Sequence, residues 1–178
     1  MKTGAALLIV ALAAAVSVDV VKTGYGVKGD EATYVSMALS LAYDHDLTYQ
    51  RRDLDRFFGL YRSGPNGIFL KKGKQLRLRL VGEPPFVRTV KTADKQTDRL
   101  FFAKPLLYPI VAAPFVRLLG LNGFLVLHVL LLFGVCACGY AFLAARSKPG
   151  PAMLFSLAFV GATCVPVYAV FLAPEILH

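Results

Sequence analysis

Two runs of 23 residues, Gly123 to Ala145 and Pro151 to Ala173, contain no charged side chain. No other feature constrains the fold of this chain as tightly. A helix rises about 1.5 Å per residue, so each run can reach ~35 Å, enough to cross a hydrocarbon layer of roughly 30 Å. Within that layer a segment must satisfy its own backbone hydrogen bonds, which an isolated helix does and an open strand does not. Both runs are therefore expected to span a membrane. Gly4 to Val21 is a third apolar run, 18 residues long with Asp19 as its one charge. It is expected to be a retained first span, the rival being a signal peptide cleaved near the small residues of Ala11–Ser17.

Composition supports a membrane protein. The chain is 56% hydrophobic and 17% charged with a mean hydropathy of +0.57, which excludes disorder and a disulfide scaffold. Its charge is concentrated: 16 of the 20 Lys and Arg and nine of the 11 acidic residues fall between Lys22 and Lys104. One polar segment thus sits between apolar ones. The net +9 belongs mostly to that segment and suits anionic head groups or phosphates; no nucleic-acid-binding motif accompanies it.

The short basic link Arg146-Ser-Lys-Pro-Gly150 and the lone Lys2 set the expected topology. Short loops rich in Lys and Arg stay in the cytoplasm. The expected division is a first transmembrane helix over 1–21, an external polar loop over 22–105, and a juxtamembrane helix over 106–121. A second transmembrane helix over 122–145, a cytoplasmic link over 146–150, a third transmembrane helix over 151–173 and an external tail over 174–178 follow. Leu106 to Leu119 is too short to cross and carries Pro109, Pro114 and Arg117, so it is read as interfacial. The fold class is an all-α polytopic membrane protein with about three transmembrane helices, interfacial amphipathic helices and a small external β-hairpin.

Within the polar loop, Glu31–Tyr43 has apolar residues near a 3.6 period, with Ser36 and Ser40 on the opposite side. The spacing predicts an amphipathic helix on the outer leaflet, started at Gly29-Asp30. Gly67–Leu70, a turn at Lys71-Lys-Gly-Lys74 and the alternating Gln75-Leu-Arg-Leu-Arg-Leu80 predict the hairpin. Pro84, Pro85 and the charged run to Arg99 read as loop. Cys136, Cys138 and Cys164 lie in apolar runs and are read as small hydrophobes.

Several groups could carry chemistry. Asp30 and Glu31 are adjacent carboxylates just outside the first span, where a carboxylate can serve as a general base; the plainer reading is a solvated helix start. Asp44-His-Asp46 and Asp53-Leu-Asp55 have a pattern that can hold a divalent cation, although such pairs arise readily by chance. No residue is assigned as a metal ligand and no cofactor is assigned, with a divalent metal left open. His128, inside the second span, is read as a hydrogen-bond partner for a neighbouring helix, and Glu175 and His178 emerge on the same side as Asp30. Arg51, Arg52, Arg56, Arg62, Lys71, Lys72 and Lys74, interleaved with Phe57, Phe58 and Tyr61, either grip phosphate or form a solvated surface.

The order of these features resembles a known family. A short N-terminal span, Gly29-Asp-Glu-Ala-Thr-Tyr34 opening a helix, then Lys104-Pro-Leu-Leu-Tyr-Pro109 and Gly120 before the next span, is similar to the start of the GT-C glycosyltransferases, in the branch of the protein O-mannosyltransferases and the aminoarabinose transferases acting on lipid A. The resemblance implies transfer of a sugar from a polyprenyl-phosphate carrier to an acceptor at the outer face of the membrane, with inversion. It implies Asp30 as the base, Glu31 as its motif neighbour, and Lys104 near the carrier phosphate; Tyr34 of the motif and, from the basic loop, Arg51 and Arg52 are read as further substrate-binding residues. It also implies missing C-terminal spans beyond His178. The three-span start with the N-terminus in the cytoplasm and no Asn-x-Ser/Thr acceptor fits the cell membrane, a bacterial inner membrane, as the location. The alternative is a small non-catalytic membrane protein whose basic external loop binds anionic lipid or a partner.

Overall fold

The computed structural model describes residues 2–23, 27, 29–84 and 87–177. Pro85, in the expected loop, and His178, in the expected tail, lie outside the described residues. The chain is mostly helical with one small sheet. Helix α1 is Lys2–Ser17, α2 Asp30–Tyr43 and α3 Arg51–Leu60; α4 is Leu107–Leu119, α5 Asn122–Ala144, α6 Pro149–Gly161 and α7 Val165–Tyr168, before a final 3-10 turn at Pro174–Ile176. Strands β1 (Thr48–Tyr49), β2 (Leu70–Leu80) and β3 (Val87–Phe102) form an antiparallel sheet in the order β1-β3-β2.

Helix α5 is the one described helix long and apolar enough to cross a membrane. The other two expected spans differ from the reading of the sequence. Helix α1 is 16 residues and stops at Ser17 rather than Val21, where the β-branched run Val16-Ser-Val-Asp-Val-Val21 weakens helix propensity. Its last carbonyls are taken over by α5: Asn122 Nδ2 donates to the carbonyl oxygens of Ala15, Val16 and Val18 at 2.8, 3.0 and 2.6 Å. The third run is broken. Helix α6 ends at Gly161 after 13 residues, Thr163 Oγ1 donates to the Val160 carbonyl and accepts from Val165 N–H, and Pro166 supplies no N–H to continue the ladder. The chain then returns along α5 in short turns.

Small residues let α5 and α6 pack closely. Ser156 Oγ donates to the Cys136 carbonyl at 2.7 Å, and a Cβ on Gly139 would lie 3.0 Å from the same oxygen; small side chains with a hydroxyl across the seam are how apolar helices associate in lipid. The α4–α5 elbow is tighter still, since a Cβ on Gly123 would meet the Phe115 carbonyl at 2.4 Å. Outward faces remain apolar: Ile9 and Val10 on α1, Phe142 on α5, and Leu154, Phe155 and Phe159 on α6 are all more than half exposed.

Helix α2 corrects the expectation of an amphipathic surface helix. Ten of its 14 residues are buried, Ser36 and Ser40 among them. Its small side chains let neighbours close on several sides, with α4 against it, α3 near its end and the Asn66–Phe69 segment on its first turn. The core lies between α2, α4 and α5, where Val35, Ala38, Tyr108, Ala112, Val116 and Phe124 are buried. Contacts of Tyr34 with Tyr108 and of Tyr43 with Arg117 show α2 and α4 running in the same direction.

The hairpin is larger than expected. Lys71-Lys-Gly-Lys74 is not a turn but lies inside β2, where the register shifts between Lys72 and Gly73 and again between Lys74 and Leu76; a glycine within a strand marks a bulge. The reversal falls near Gly82–Pro84, and much of the run read as loop to Arg99 lies in β3, where Val87–Lys91, Gln96 and Thr97 pair with β2.

Candidate functional site

The first turn of α2 is built by two glycines that the sequence requires there. Gly29 (φ +57°) and Gly67 (φ +87°) both have positive φ, a region side chains disfavour. They also touch, for a Cβ on Gly67 would sit 3.2 Å from Gly29 Cα. Gly29 N–H donates to the Asn66 carbonyl at 2.6 Å. Thr33 Oγ1 donates to the Gly29 carbonyl and accepts from Phe69 N–H at 3.0 Å. Phe69 in turn accepts from Ala103 N–H through its carbonyl, which brings Lys104 alongside α2.

Lys104 Nζ lies 2.6 Å from Asp30 Oδ1 and 4.6 Å from the centre of the Phe69 ring. The carboxylate is the accessible partner, its side chain 53% exposed against 22% for the lysine. Asp30 and Glu31 occupy the first helical turn, where the unpaired N–H groups favour negative charge. Glu31 Oε1 accepts from Leu172 N–H at 3.0 Å and so fastens the returning C-terminal segment to α2. Tyr34 is buried edge-on to Tyr108. Burial pushes its hydroxyl pKa up, the Lys104 charge opposes the rise, and Asp30 and Glu175 add to it, which places those three charges around it.

Two further residues join this end of α2. Tyr61 is buried with no hydrogen-bond partner for its hydroxyl, and burial, reinforced by Glu31, pushes its pKa up to about 12. His128 is fully buried between Tyr108 Oη, 2.8 Å from Nε2, and the Ala169 carbonyl, 3.0 Å from Nδ1. A carbonyl only accepts, so Nδ1 carries the proton and in the neutral ring Nε2 accepts from the tyrosine. This is the neighbour-bonding role read from the sequence. Neither Tyr61 nor the Thr33–Phe69 link had a sequence signal, because both depend on which loop folds over α2.

Arg51 and Arg52 are not brought to Asp30. They start α3 beside the other end of α2, which at about 1.5 Å per residue lies ~20 Å from Asp30. Arg51 is exposed and reaches Asp55 at 4.0 Å, while Arg52 pairs with Asp44 and Asp46. The two Asp-x-Asp motifs are likewise occupied within the fold. Asp44 takes both guanidinium nitrogens of Arg56, at 2.7 and 3.0 Å, and that hydrogen bonding holds its carboxyl below the usual range. Asp46 accepts from Ser40 Oγ and Thr48 N–H. Asp53 closes the N-terminus of α3 by accepting from Gln50 N–H at 2.8 Å, and its burial raises its pKa. Among the described residues no group of three or more His, Cys, Asp or Glu could hold a metal ion.

The Asp30 end of α2 therefore presents an accessible carboxylate, a lysine at contact distance, a buried unpaired phenol and a bonded Tyr–His pair, which together can accept a proton and hold an anion. No protein-family model matches the chain, and no curated protein and no solved structure matches it significantly.

Proposed function

We propose that this chain is the N-terminal part of a GT-C-like membrane glycosyltransferase that moves a sugar from a polyprenyl-phosphate carrier to an acceptor at the outer face of a cell membrane. The single observation that carries the reading is the Asp30–Lys104 contact: a general-base candidate and a phosphate-binding candidate, distant in sequence, share one site. In this reading α5 crosses the bilayer, and α1 and the α6–α7 return pack beside it with their exposed apolar residues in lipid. An apolar surface of that extent is unfavourable in water. The N-terminus and the 145–148 link lie at one end of these helices, and Asp30, Lys104 and the 174–177 turn at the other, because the end of α1 meets the start of α5 and Leu172 meets Glu31. That arrangement suits an inner membrane with the N-terminus in the cytoplasm.

The chemistry follows from competition for one ammonium group. A lysine is a compact point charge suited to phosphate, and the carrier's phosphate would draw Lys104 away from Asp30. The released carboxylate would accept the acceptor hydroxyl's proton as its oxygen bonds to the anomeric carbon. The bond from that carbon to the phosphate oxygen breaks, and polyprenyl phosphate leaves toward Lys104. Tyr34, Tyr61 and Glu31 would shape the acceptor side. No metal is required by this scheme.

The test is sugar release from polyprenyl-phosphate mannose and polyprenyl-phosphate aminoarabinose in membranes carrying the protein with whatever spans follow it. D30N should lower turnover at least a hundredfold, the lower range for a general base, while the protein stays folded. Unchanged turnover in D30N would remove Asp30 as the base, and no turnover in the wild type would remove the reading and favour the non-catalytic alternative, in which the exposed Lys71, Lys72, Arg79 and Arg88 of the hairpin contact anionic lipid.

A further inference from the structure

We propose that the end of α2 opposite Asp30 holds the head group of an anionic phospholipid, with Arg117 as the phosphate-binding side chain. A groove of about 260 Å³ opens there, lined by Leu39, Tyr43, Leu60, Leu121, Gly120 and Arg56. Its lining is aliphatic apart from Tyr43, Gly120 and Arg56, and Arg117 reaches it through the Tyr43 ring. The Arg117 guanidinium stacks 4.9 Å from the centre of the Tyr43 ring, and Arg56 sits 5.3 Å from the same centre.

The two arginines differ in one decisive respect. Arg56 is neutralised by its two hydrogen bonds to Asp44. Arg117 has no carboxylate within ion-pair distance among the described residues. It is exposed, and its neighbours Leu118 and Leu119 on α4 are exposed too, Leu118 at 81%. An uncompensated guanidinium among exposed leucines fits the depth at which lipid head groups lie, where the aliphatic stem is buried and the charge meets phosphate. A guanidinium fork fixed against an aromatic ring is preorganised for two phosphate oxygens. Leu39, Leu60 and Leu121 offer the adjoining acyl chain an apolar wall. The occupant is therefore a phospholipid with net negative charge rather than a soluble anion.

This inference rests on the membrane placement proposed above and not on the transfer chemistry. The experiment reconstitutes the full chain in bilayers of equal parts phosphatidylcholine and phosphatidylglycerol and measures, by spin-label EPR, the motionally restricted fraction of each labelled lipid. Phosphatidylglycerol should be enriched about fivefold over phosphatidylcholine, the factor one basic side chain contributes at a lipid surface. R117Q should lose that enrichment, R117K should keep most of it, and R99Q on the exposed strand β3 should keep all of it. Enrichment unchanged in R117Q, or lost equally in R99Q, would overturn the site while leaving the membrane placement standing. Displacement of the lipid by inorganic phosphate at constant ionic strength would overturn the lipid assignment. Failure of the wild type to enter bilayers would overturn the placement and this inference together.

Discussion

Gly67 stands against Gly29 so closely that a Cβ on it would lie 3.2 Å from the Gly29 α-carbon, and this contact sets the height at which Asp30 and Lys104 meet. The hydrogen bonds from Gly29 to Asn66 and from Phe69 to Thr33 hold the same junction. Gly67→Ala combines a close approach with a side chain at φ +87°. It should lower stability by ~1–2 kcal/mol, measured as a lower midpoint of urea unfolding in mild detergent. A midpoint equal to wild type would show that the junction yields without cost.

Tyr108 and His128 tie α4 to α5. Tyr108→Phe and His128→Ala should each destabilise the protein. Their double-mutant cycle should return a coupling of about 1 kcal/mol, the range for buried hydrogen bonds between apolar helices. Additive effects would mean the 2.8 Å contact contributes nothing beyond packing.

Gly123 admits no side chain, because backbone atoms of Phe115 and Val116 lie within 2.5 Å of where its Cβ would be. Gly123→Leu should abolish the α4–α5 elbow, seen as loss of monodisperse protein on gel filtration. Gly134→Leu, where nothing lies within 4 Å of the added atom, should behave as wild type.

Acid should selectively remove the contribution of Asp44. Its carboxyl is held below the usual range by hydrogen bonding to Arg56, so the folded pKa is lower than the unfolded one of about 3.9. The stabilisation is complete above that unfolded value and is lost as pH falls through the folded one. Asp44→Asn should therefore cost about 2 kcal/mol at neutral pH, the scale of a charge-assisted pair. The gap to wild type should close as the solution is acidified below the usual carboxylate range; a constant gap would place the effect in packing.

What the sequence discloses here is local, and what it conceals is tertiary. Helix α5 is written in the uncharged run from Gly123, and the start of α2 in Gly29-Asp30. The break in the third run is also written there, in Gly161 and Pro166, but composition alone masks it because an apolar count does not weigh backbone breakers. The burial of α2 cannot be read from its period, since Ser36 and Ser40 look solvent-facing until α4 and the Asn66–Phe69 loop close over them. Strand β3 is rich in Lys, Thr and Asp, and it becomes a strand only through pairing with β2. Arg51 and Arg52 look like phosphate ligands in a basic loop; the fold directs them to Asp44, Asp46 and Asp55 instead.

The central claim is that Asp30 and a lipid-linked phosphate compete for Lys104, and the measurement that tests it most directly is the affinity of the detergent-solubilised protein for a polyprenyl phosphate. Lys104→Gln should weaken binding about tenfold, the scale of one charged contact. Asp30→Asn should strengthen it, because the competing carboxylate 2.6 Å away is gone. Equal affinity in all three proteins, or weaker binding in Asp30→Asn, would contradict the account.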